Sequence, residues 1–436
     1  MHERKTFFHW LLPIPNVSTN LIKDYPPLNV LLELLILLFL ARLFSESAER
    51  LEQPATVGEL TVGILLAAAA TFWGTSFPFL VQLTTSKTLE DIANLGIFFL
   101  VLLAGIESKL QELRQNSRSA IFVALGGALI PLISGFILGW LFLPESEVKS
   151  IQAFLIGITM SITSIPATIK ALTEFGLLHS RMGQTIVGAA IVDDIVGLFL
   201  LAILTSMIQT GHIPNPMVFI VLLGKVGIFF GITIGLGIHV YPKVRQSLKA
   251  LKMAAVEFSV LMIVALAYGL LAEALDMHWI LGAFMAGLFF EPSRVGQETY
   301  QEIQLIVTGI TQGVLGPLFF IWIGTHVEIA TLTSIPLFMA LLLLIAFTGK
   351  IVGCGFPAYW GGLDRRNAMS VGVGMSNRGA MELIILSIAL EAGLFAYGNQ
   401  DNVIVSHLFS ALVLMGVITT LLSLVILRRV LPKSPT

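Results

Sequence analysis

Two adjacent aspartates lie in the middle of a strongly apolar stretch of this chain. Asp193 and Asp194 fall within residues 188–203, inside a run long and apolar enough to cross a bilayer. An ionisable side chain at membrane depth costs roughly 2.5 kcal/mol or more, and adjacent carboxylates also repel each other. Since a helix turns by about 100° per residue, the two side chains point in different directions. The pair could instead mark a loop or a helix end, but no Gly, Pro or Asn breaks the pattern there. We therefore expect two functional carboxylates with different partners.

The composition indicates a membrane protein. Of 436 residues, 56% are hydrophobic and 12% are charged, whereas about 25% are charged in a typical soluble domain. The net charge of −2 and the absence of a basic run give no reason to expect a nucleic-acid partner. The single cysteine, Cys354, excludes an internal disulfide and a thiolate metal cluster. We expect most of the chain to be embedded in a lipid bilayer.

Apolar runs of about 17 to 25 residues predict thirteen transmembrane helices. They cover residues 28–44, 57–74, 91–108, 119–143, 151–174, 184–208, 217–240, 255–272, 277–291, 304–325, 333–357, 367–391 and 403–428. With the N-terminus outside and the C-terminus in the cytoplasm, seventeen Lys and Arg residues are cytoplasmic and five are external. That excess of basic residues in cytoplasmic loops is typical of membrane proteins. Span 277–291 is the shortest, and omitting it would abolish the excess, so it is retained.

Two of these spans contain residues that interrupt helices. One reads Thr163-Ser-Ile-Pro166 and the other Ser376-Asn-Arg-Gly379. A proline inside a helix removes a hydrogen bond and clashes with the preceding turn. Irregular backbone at membrane depth is tolerated only beside protein or a water-filled cavity. We expect two discontinuous helices, in which the Thr163 and Ser164 hydroxyls replace lost bonds or bind an ion; two ordinary kinks are the alternative.

The order of these features suggests an inverted repeat. The segments 119–208 and 333–428 each contain three spans with an interrupted one in the middle, and an offset of seven spans reverses their orientation. Discontinuous helices in corresponding places of two inverted halves indicate a transporter site near the bilayer midplane. We therefore predict that the two segments superpose after inversion, with their interruptions meeting near the midplane.

These residues together resemble the cation/proton antiporter superfamily, specifically its paired-aspartate sodium/proton antiporter branch. The Asp193–Asp194 pair combined with an intramembrane Lys350 is the most specific part of the resemblance. Thr163–Pro166 and Arg378-Gly379 also contribute, while Leu95–Glu107 and Gly316–Gly324 are shared by several branches and are weaker. The resemblance implies one transporter domain over residues 1–436, with no soluble regulatory domain. It further implies a mobile core of about 119–208 and 333–428, and a scaffold of about 28–108 and 217–325 that forms a homodimer.

The resemblance also implies roles for individual residues. Asp194 would be the principal ion-binding carboxylate, supported by Asp193, Thr163 and Ser164, and Asp193 would pair with Lys350. The expected partners are sodium (or lithium) ions, protons and lipid. No cofactor and no enzymatic activity are expected, and no nucleotide-binding motif occurs. Transport would then use an ion gradient, in a prokaryotic cell (inner) membrane or an internal energy-coupling membrane.

Several alternatives remain open at this point. Lys350 could extend along its helix to the membrane surface instead of pairing. Arg378 and Glu382 are four residues apart, hence on one helix face, and could form a structural pair that supports the broken helix. The chain could also be a potassium/proton antiporter, or a sodium-coupled organic-solute symporter. The last would need a cavity large enough for an organic molecule.

Overall fold

The described part of the chain folds into helices. The computed structural model describes residues 26–108, 118–164, 166–175, 177–178, 180–211, 216–239, 256–275, 277–395 and 402–431. No strand occurs within these ranges. The prediction of an all-α membrane protein is therefore confirmed.

Twenty α-helices lie within the described residues. In the first half of the chain they are α1 (Pro26–Arg50), α2 (Ala55–Trp73), α3 (Pro78–Thr84), α4 (Lys87–Glu107), α5 (Arg118–Phe142), α6 (Lys149–Ser161), α7 (Pro166–Glu174), α8 (Arg181–Thr210) and α9 (Pro216–His239). In the second half they are α10 (Val256–Ala274), α11 (Ile280–Leu288), α12 (Pro292–Val295), α13 (Gln297–Ile310), α14 (Gly316–Thr325), α15 (Thr331–Ser334), α16 (Pro336–Trp360), α17 (Arg365–Gly374), α18 (Ala380–Glu391), α19 (Val403–Ser406) and α20 (Leu408–Val430). A π-helical turn, Thr311–Leu315, joins α13 to α14.

Every predicted span corresponds to one helix or to a pair of consecutive helices. Within the described ranges, eight helical segments are long and apolar enough by themselves to cross a membrane. The other predicted spans correspond to α1, α9, α11 and the two interrupted pairs α6–α7 and α17–α18. The nine residues of α11 extend over only about 14 Å at 1.5 Å per residue, which is why this span was the weakest in the sequence.

The third span begins earlier than its hydropathy predicts. Residues 78–107 form one apolar segment, whereas the sequence placed its start at residue 91. The Ser86 hydroxyl accepts a hydrogen bond from the backbone N–H of Leu89 at 3.3 Å and so caps the start of α4. Lys87, Glu90 and Asp91 follow directly, and these charges lowered the apparent hydropathy of the first turns.

The helices pack into two groups. In the core group, α5 packs against α6, α8 and α16, while α16 and α20 both pack against α17. In the scaffold group, α4 packs against α11 and α14, while α2 packs against α1 and α14. The core group contains a continuous, an interrupted and a continuous helix twice in chain order, as the repeat predicts. Superposition of its halves after inversion stays a prediction.

Glycines allow helices from the two halves of the core group to approach each other closely. A Cβ added at Gly353 of α16 would lie 2.5 Å from the carbonyl oxygen of Gly126 in α5. Small residues at such contacts are how membrane helices approach each other closely. Gly231 of α9 differs, because a Cβ there would meet no atom of the described residues within 4 Å.

This difference predicts opposite outcomes for two matched substitutions. Gly353→Ala should lower the free energy of unfolding by about 1–3 kcal/mol, because the added methyl forces α5 and α16 apart. Gly231→Ala should cause no loss, since the methyl enters open space. Thermal unfolding in detergent micelles would measure both, and equal stabilities of the two variants would contradict the assigned contact.

Candidate functional site

The two helix interruptions are in direct contact. The first break, residues 162–165, separates α6 from α7, and the second break, residues 375–379, separates α17 from α18; residue 165 lies outside the described residues. The backbone N–H of Ser164 donates to the carbonyl oxygen of Asn377 at 2.8 Å. The Thr168 hydroxyl donates to the carbonyl oxygen of Gly374 at 2.7 Å. Backbone N–H and carbonyl groups that lack a helical hydrogen-bond partner at one break are therefore hydrogen-bonded by polar groups at the other.

The helix α20 holds the second break through side-chain hydroxyls. The Ser423 hydroxyl donates to the side-chain oxygen of Asn377, whose nitrogen donates to Thr168 at 2.5 Å. The Thr420 hydroxyl accepts from the backbone N–H of Arg378 at 2.9 Å and donates to its carbonyl oxygen at 3.1 Å. This role of α20 was not predicted from the sequence. Its signal was the spacing of Thr420 and Ser423, which places two hydroxyls on one face of an apolar helix.

Asp193 forms a buried ion pair with Lys350 beside the first break. The Lys350 ammonium lies 3.4 Å from Asp193 Oδ1 and donates to the Thr163 hydroxyl at 2.7 Å. The backbone N–H of Thr163 donates to Asp193 Oδ2 at 2.9 Å. All three side chains are buried. An aspartate of α8, a lysine of α16 and a threonine of the first break thus form one network that joins both halves of the core group.

Lys350 does not extend to the surface of the protein. Its side chain is 0% exposed, and α5 makes room for it at Gly127, where a Cβ would lie 3.7 Å from the ammonium nitrogen. The buried thiol of Cys354, one turn further along α16, packs against the same glycine. A buried ammonium requires a compensating charge, and Asp193 supplies it. The alternative in which Lys350 reaches the membrane surface is therefore wrong.

Asp194 differs from its neighbour in having no such partner. Its side chain is partly exposed, and within the described ranges no hydrogen bond or ion pair reaches its carboxylate. Ser164 is also partly exposed, and its hydroxyl packs against Gly379 of the second break. The two aspartates were predicted to point in different directions, and their environments differ accordingly. The charge of Asp193 is balanced by Lys350 inside the protein, whereas the carboxylate of Asp194 is available to bind an ion.

Arg378 has hydrogen-bond partners other than Glu382, the partner predicted from the sequence. Its Nη1 donates to the carbonyl oxygens of Thr159 at 2.9 Å and Ile162 at 2.5 Å, at the end of α6. Neither carboxylate oxygen of Glu382 has a hydrogen-bond partner among the described residues, so the predicted direct pair does not form. The prediction assumed one continuous helix, but α18 begins only after Gly379, whose backbone is extended. Arg378 therefore lies outside the helix that carries Glu382, and it supports the first break instead.

Removal of the Thr163 hydroxyl should lower the stability of the protein. Its hydroxyl accepts from Lys350 and donates to the carbonyl oxygen of Met375 at 3.1 Å. Thr163→Val keeps the shape but leaves a buried ammonium donor and a carbonyl without this partner, at a cost of about 1–3 kcal/mol. We expect a lower unfolding temperature for Thr163→Val and a nearly unchanged one for Thr163→Ser. Equal losses in both variants would show that packing of the methyl group is what matters.

The site combines features suited to a small hard cation. Carboxylate, hydroxyl and carbonyl oxygens are the ligands that such ions prefer. Asp194 offers an available carboxylate, and the carbonyls of the two breaks lie outside regular helix. A proton and a metal cation would compete for the same carboxylate oxygens. The site can therefore bind either a proton or a metal cation at Asp194. The ion pair of Asp193 and Lys350 is adjacent, so its electrostatic energy depends on which of the two is bound.

Comparison with known proteins places this architecture among known transporters. Residues 35–432 match the family described as the transmembrane sodium/hydrogen exchanger. The Na⁺/H⁺-K⁺ antiporter GerN of Bacillus cereus is 30% identical over 392 residues, which cover 90% of this chain and 93% of that protein. A Na⁺/H⁺ antiporter of Enterococcus hirae is 29% identical over 400 residues, covering 91% of this chain and 96% of that protein.

A solved structure shares the fold. The structure of the sodium proton antiporter MjNhaP1 from Methanocaldococcus jannaschii at pH 8 superposes with a TM-score of 0.66. The similarity covers 92% of this chain and 97% of that chain, at 16% sequence identity. At this level of identity the likeness concerns the path of the backbone, and it agrees with the all-α membrane architecture described above.

Proposed function

The chain belongs to the sodium/hydrogen exchanger family, and from this premise we propose that it exchanges sodium ions, or lithium ions, for protons by alternating access. The family lies in the cation/proton antiporter superfamily, whose members are membrane transporters of monovalent cations and protons. The chain is accordingly an integral membrane protein and a cation/proton antiporter. What we propose beyond this is the transported cation, the residues that bind it and the charge moved in each cycle.

One observation carries the proposal. Asp193 is buried in an ion pair with Lys350 and accepts a hydrogen bond from Thr163 of the first break, whereas the adjacent Asp194 of the same helix is partly exposed. We assign Asp194 as the carboxylate that binds the cation and the proton in turn. Asp193, Thr163 and Ser164 complete the oxygen ligands when the cation is bound, and Arg378 keeps the first break in place.

The ion pair supplies a mechanism for coupling. A cation that arrives at Asp194 also attracts the neighbouring carboxylate of Asp193, which weakens the bond between Asp193 and Lys350. An ammonium without its counter-charge in a buried position loses its proton more readily. One proton from Asp194 and one from Lys350 would then leave for each sodium ion that binds. We therefore propose an electrogenic exchange of two protons for one sodium ion.

The packing of the helices into two groups supports a different role for each group. The core group contains the aspartates and both breaks, so we propose that it is the mobile part, residues of about 119–208 and 333–428. The scaffold group, residues of about 28–108 and 217–325, would remain fixed and form a homodimer. The distribution of basic residues favours an external N-terminus and a cytoplasmic C-terminus. The membrane would be a prokaryotic cell (inner) membrane or an internal energy-coupling membrane.

Potassium is the second candidate cation. It is favoured by one specific observation, since the name of the Bacillus cereus relative includes potassium beside sodium. A sodium-coupled organic-solute symporter has less support. A cavity of about 300 Å³ does occur, but Leu177, Arg181, Asp364 and Asn367 are among its lining residues, and none of these belongs to the aspartate network.

The test is transport by the purified protein in liposomes. A proton-sensitive dye inside the vesicles would report proton movement when sodium, lithium or potassium is added outside. We expect proton movement with sodium and lithium and little with potassium. Potassium alone driving proton movement would replace the proposed cation, and movement with none of the three would reject the proposed exchange.

A further inference from the structure

A small cavity lies where the core group meets the scaffold group. It has a volume of about 20 Å³. Its walls come from α2 of the scaffold group and from the second break, α18 and α20 of the core group; they include Thr56, Leu60, Arg378, Glu382, Gly416 and Thr420. It is therefore separate from the network of Asp193, Lys350 and Thr163.

Two charged side chains face this cavity with unused hydrogen-bonding groups. Glu382 is 1% exposed and Arg378 is 5% exposed. Both carboxylate oxygens of Glu382 lack a partner within the described ranges, as do Nε and Nη2 of Arg378. Leaving buried charged groups unbonded is costly. A molecule in the cavity that donates to the carboxylate and accepts from the guanidinium would remove this cost.

The charges of Arg378 and Glu382 limit which kind of molecule can occupy the cavity. A metal cation would be repelled by the guanidinium, and an anion would be repelled by the carboxylate. A neutral molecule that both donates and accepts satisfies the two groups together. About 10–15 Å³ of space open to the centre of a water-sized sphere is enough to hold one water molecule. The cavity is therefore large enough for a single water.

We propose that this cavity is a binding site for one water molecule, which accepts from the Arg378 guanidinium and donates to the Glu382 carboxylate. The bridge holds the free side of the guanidinium against Glu382 while Nη1 remains on the carbonyl oxygens of Thr159 and Ile162. Arg378 also lies within electrostatic range of Asp193. Glu382 is thus a positioning residue, which keeps a second cation from competing with Lys350 for Asp193.

Radiolytic labelling in water enriched in oxygen-18 tests the site without transport. Hydroxyl radicals formed from a bound water label the buried side chains that touch it. Leu383 lines the cavity and is 5% exposed, whereas Leu386 of the same helix is 0% exposed and serves as the control. We expect several-fold more label on Leu383 than on Leu386. Equal labelling of both leucines in the unmodified protein would overturn the proposal.

Gly416→Ala provides a matched variant. A Cβ at this position would lie 3.0 Å from both oxygens of Glu382, so the methyl group takes the place of the water. Labelling of Leu383 should fall to the level of Leu386 in this variant and stay high in Gly309→Ala, whose methyl would meet nothing within 4 Å. Persistence of the label in Gly416→Ala would also contradict the site.

The effect on the ion site, which rests on the proposed function, is tested separately by transport. Glu382→Gln removes the counter-charge of Arg378 and should raise the KM for sodium by roughly fivefold, with a much smaller change in the maximal rate. Glu391→Gln, at the far end of α18, should leave both values unchanged. An unchanged KM in Glu382→Gln would reject the positioning role, whereas a lack of sodium transport by the unmodified protein would reject the proposed exchange and leave the labelling result intact.

Discussion

Replacement of Asp194 by asparagine is expected to abolish exchange while leaving the fold intact. The amide has almost the same volume as the carboxyl group, but it neither releases a proton nor supplies a negative charge to the cation. Asp194 is partly exposed and has no hydrogen bond in the described part of the chain, so the change removes no structural contact. Proton movement on addition of sodium should fall to the level of protein-free liposomes.

The control for this experiment is the same substitution elsewhere. Asp91 is an exposed aspartate of α4 in the scaffold group, and Asp91→Asn should transport at the unmodified rate. The thermal unfolding of Asp194→Asn should match that of the unmodified protein, which separates loss of function from loss of structure. Normal exchange by a folded Asp194→Asn protein would remove Asp194 from the mechanism.

Replacement of Lys350 by glutamine is expected to remove the voltage dependence of exchange. If two protons move for one sodium ion, each cycle transfers one elementary charge, and a potential of 100 mV then contributes about 2.3 kcal/mol. That energy corresponds to a change of about 50-fold in the sodium gradient that the transporter sustains at a fixed pH difference. Glutamine cannot carry the second proton, so the gradient sustained by Lys350→Gln should be nearly independent of potential.

Liposomes clamped at different potentials with potassium and valinomycin would measure this effect. Lys225→Gln is the matched control, because Lys225 is also a lysine within an apolar helix, α9, but belongs to neither the aspartate network nor the breaks. It should retain the full voltage dependence. If unmodified exchange is insensitive to potential, the two-proton mechanism is wrong; if Lys350→Gln is as sensitive as the unmodified protein, the role of Lys350 is wrong.

The interruptions were predictable from the sequence because they are local. Pro166 removes a helical hydrogen bond whatever surrounds it, and Ser376, Asn377 and Gly379 disfavour a helix by their own chemistry. That the two breaks would touch followed from the reversed order of spans. The pairing of Asp193 with Lys350 came from resemblance to a family, since nothing in their spacing of 157 positions specifies a contact.

The arginine of the second break shows where local reasoning ends. The spacing of Arg378 and Glu382 predicts a contact only if the helix is continuous between them, and the same sequence signal that predicted the break argued against that assumption. The partners of Arg378 are carbonyl groups of α6, which are distant in sequence. Backbone acceptors exist at every residue, so composition and spacing give no indication of which ones an arginine will reach.

The contact between the two breaks also determines what electric field an ion meets there. Each helix end has a partial charge, positive at the N-terminus and negative at the C-terminus. The first turn of α7 bonds to the last turn of α17 through Thr168 and Gly374, and the C-terminal end of α6 lies against Arg378, just before α18 begins. Ends of opposite sign are therefore adjacent, which reduces the net field of the half-helix dipoles. We therefore expect the whole charges of Asp193, Lys350 and Arg378 to dominate the field at Asp194, so that under the proposed mechanism a single substitution would change the number of protons exchanged without a change in the backbone.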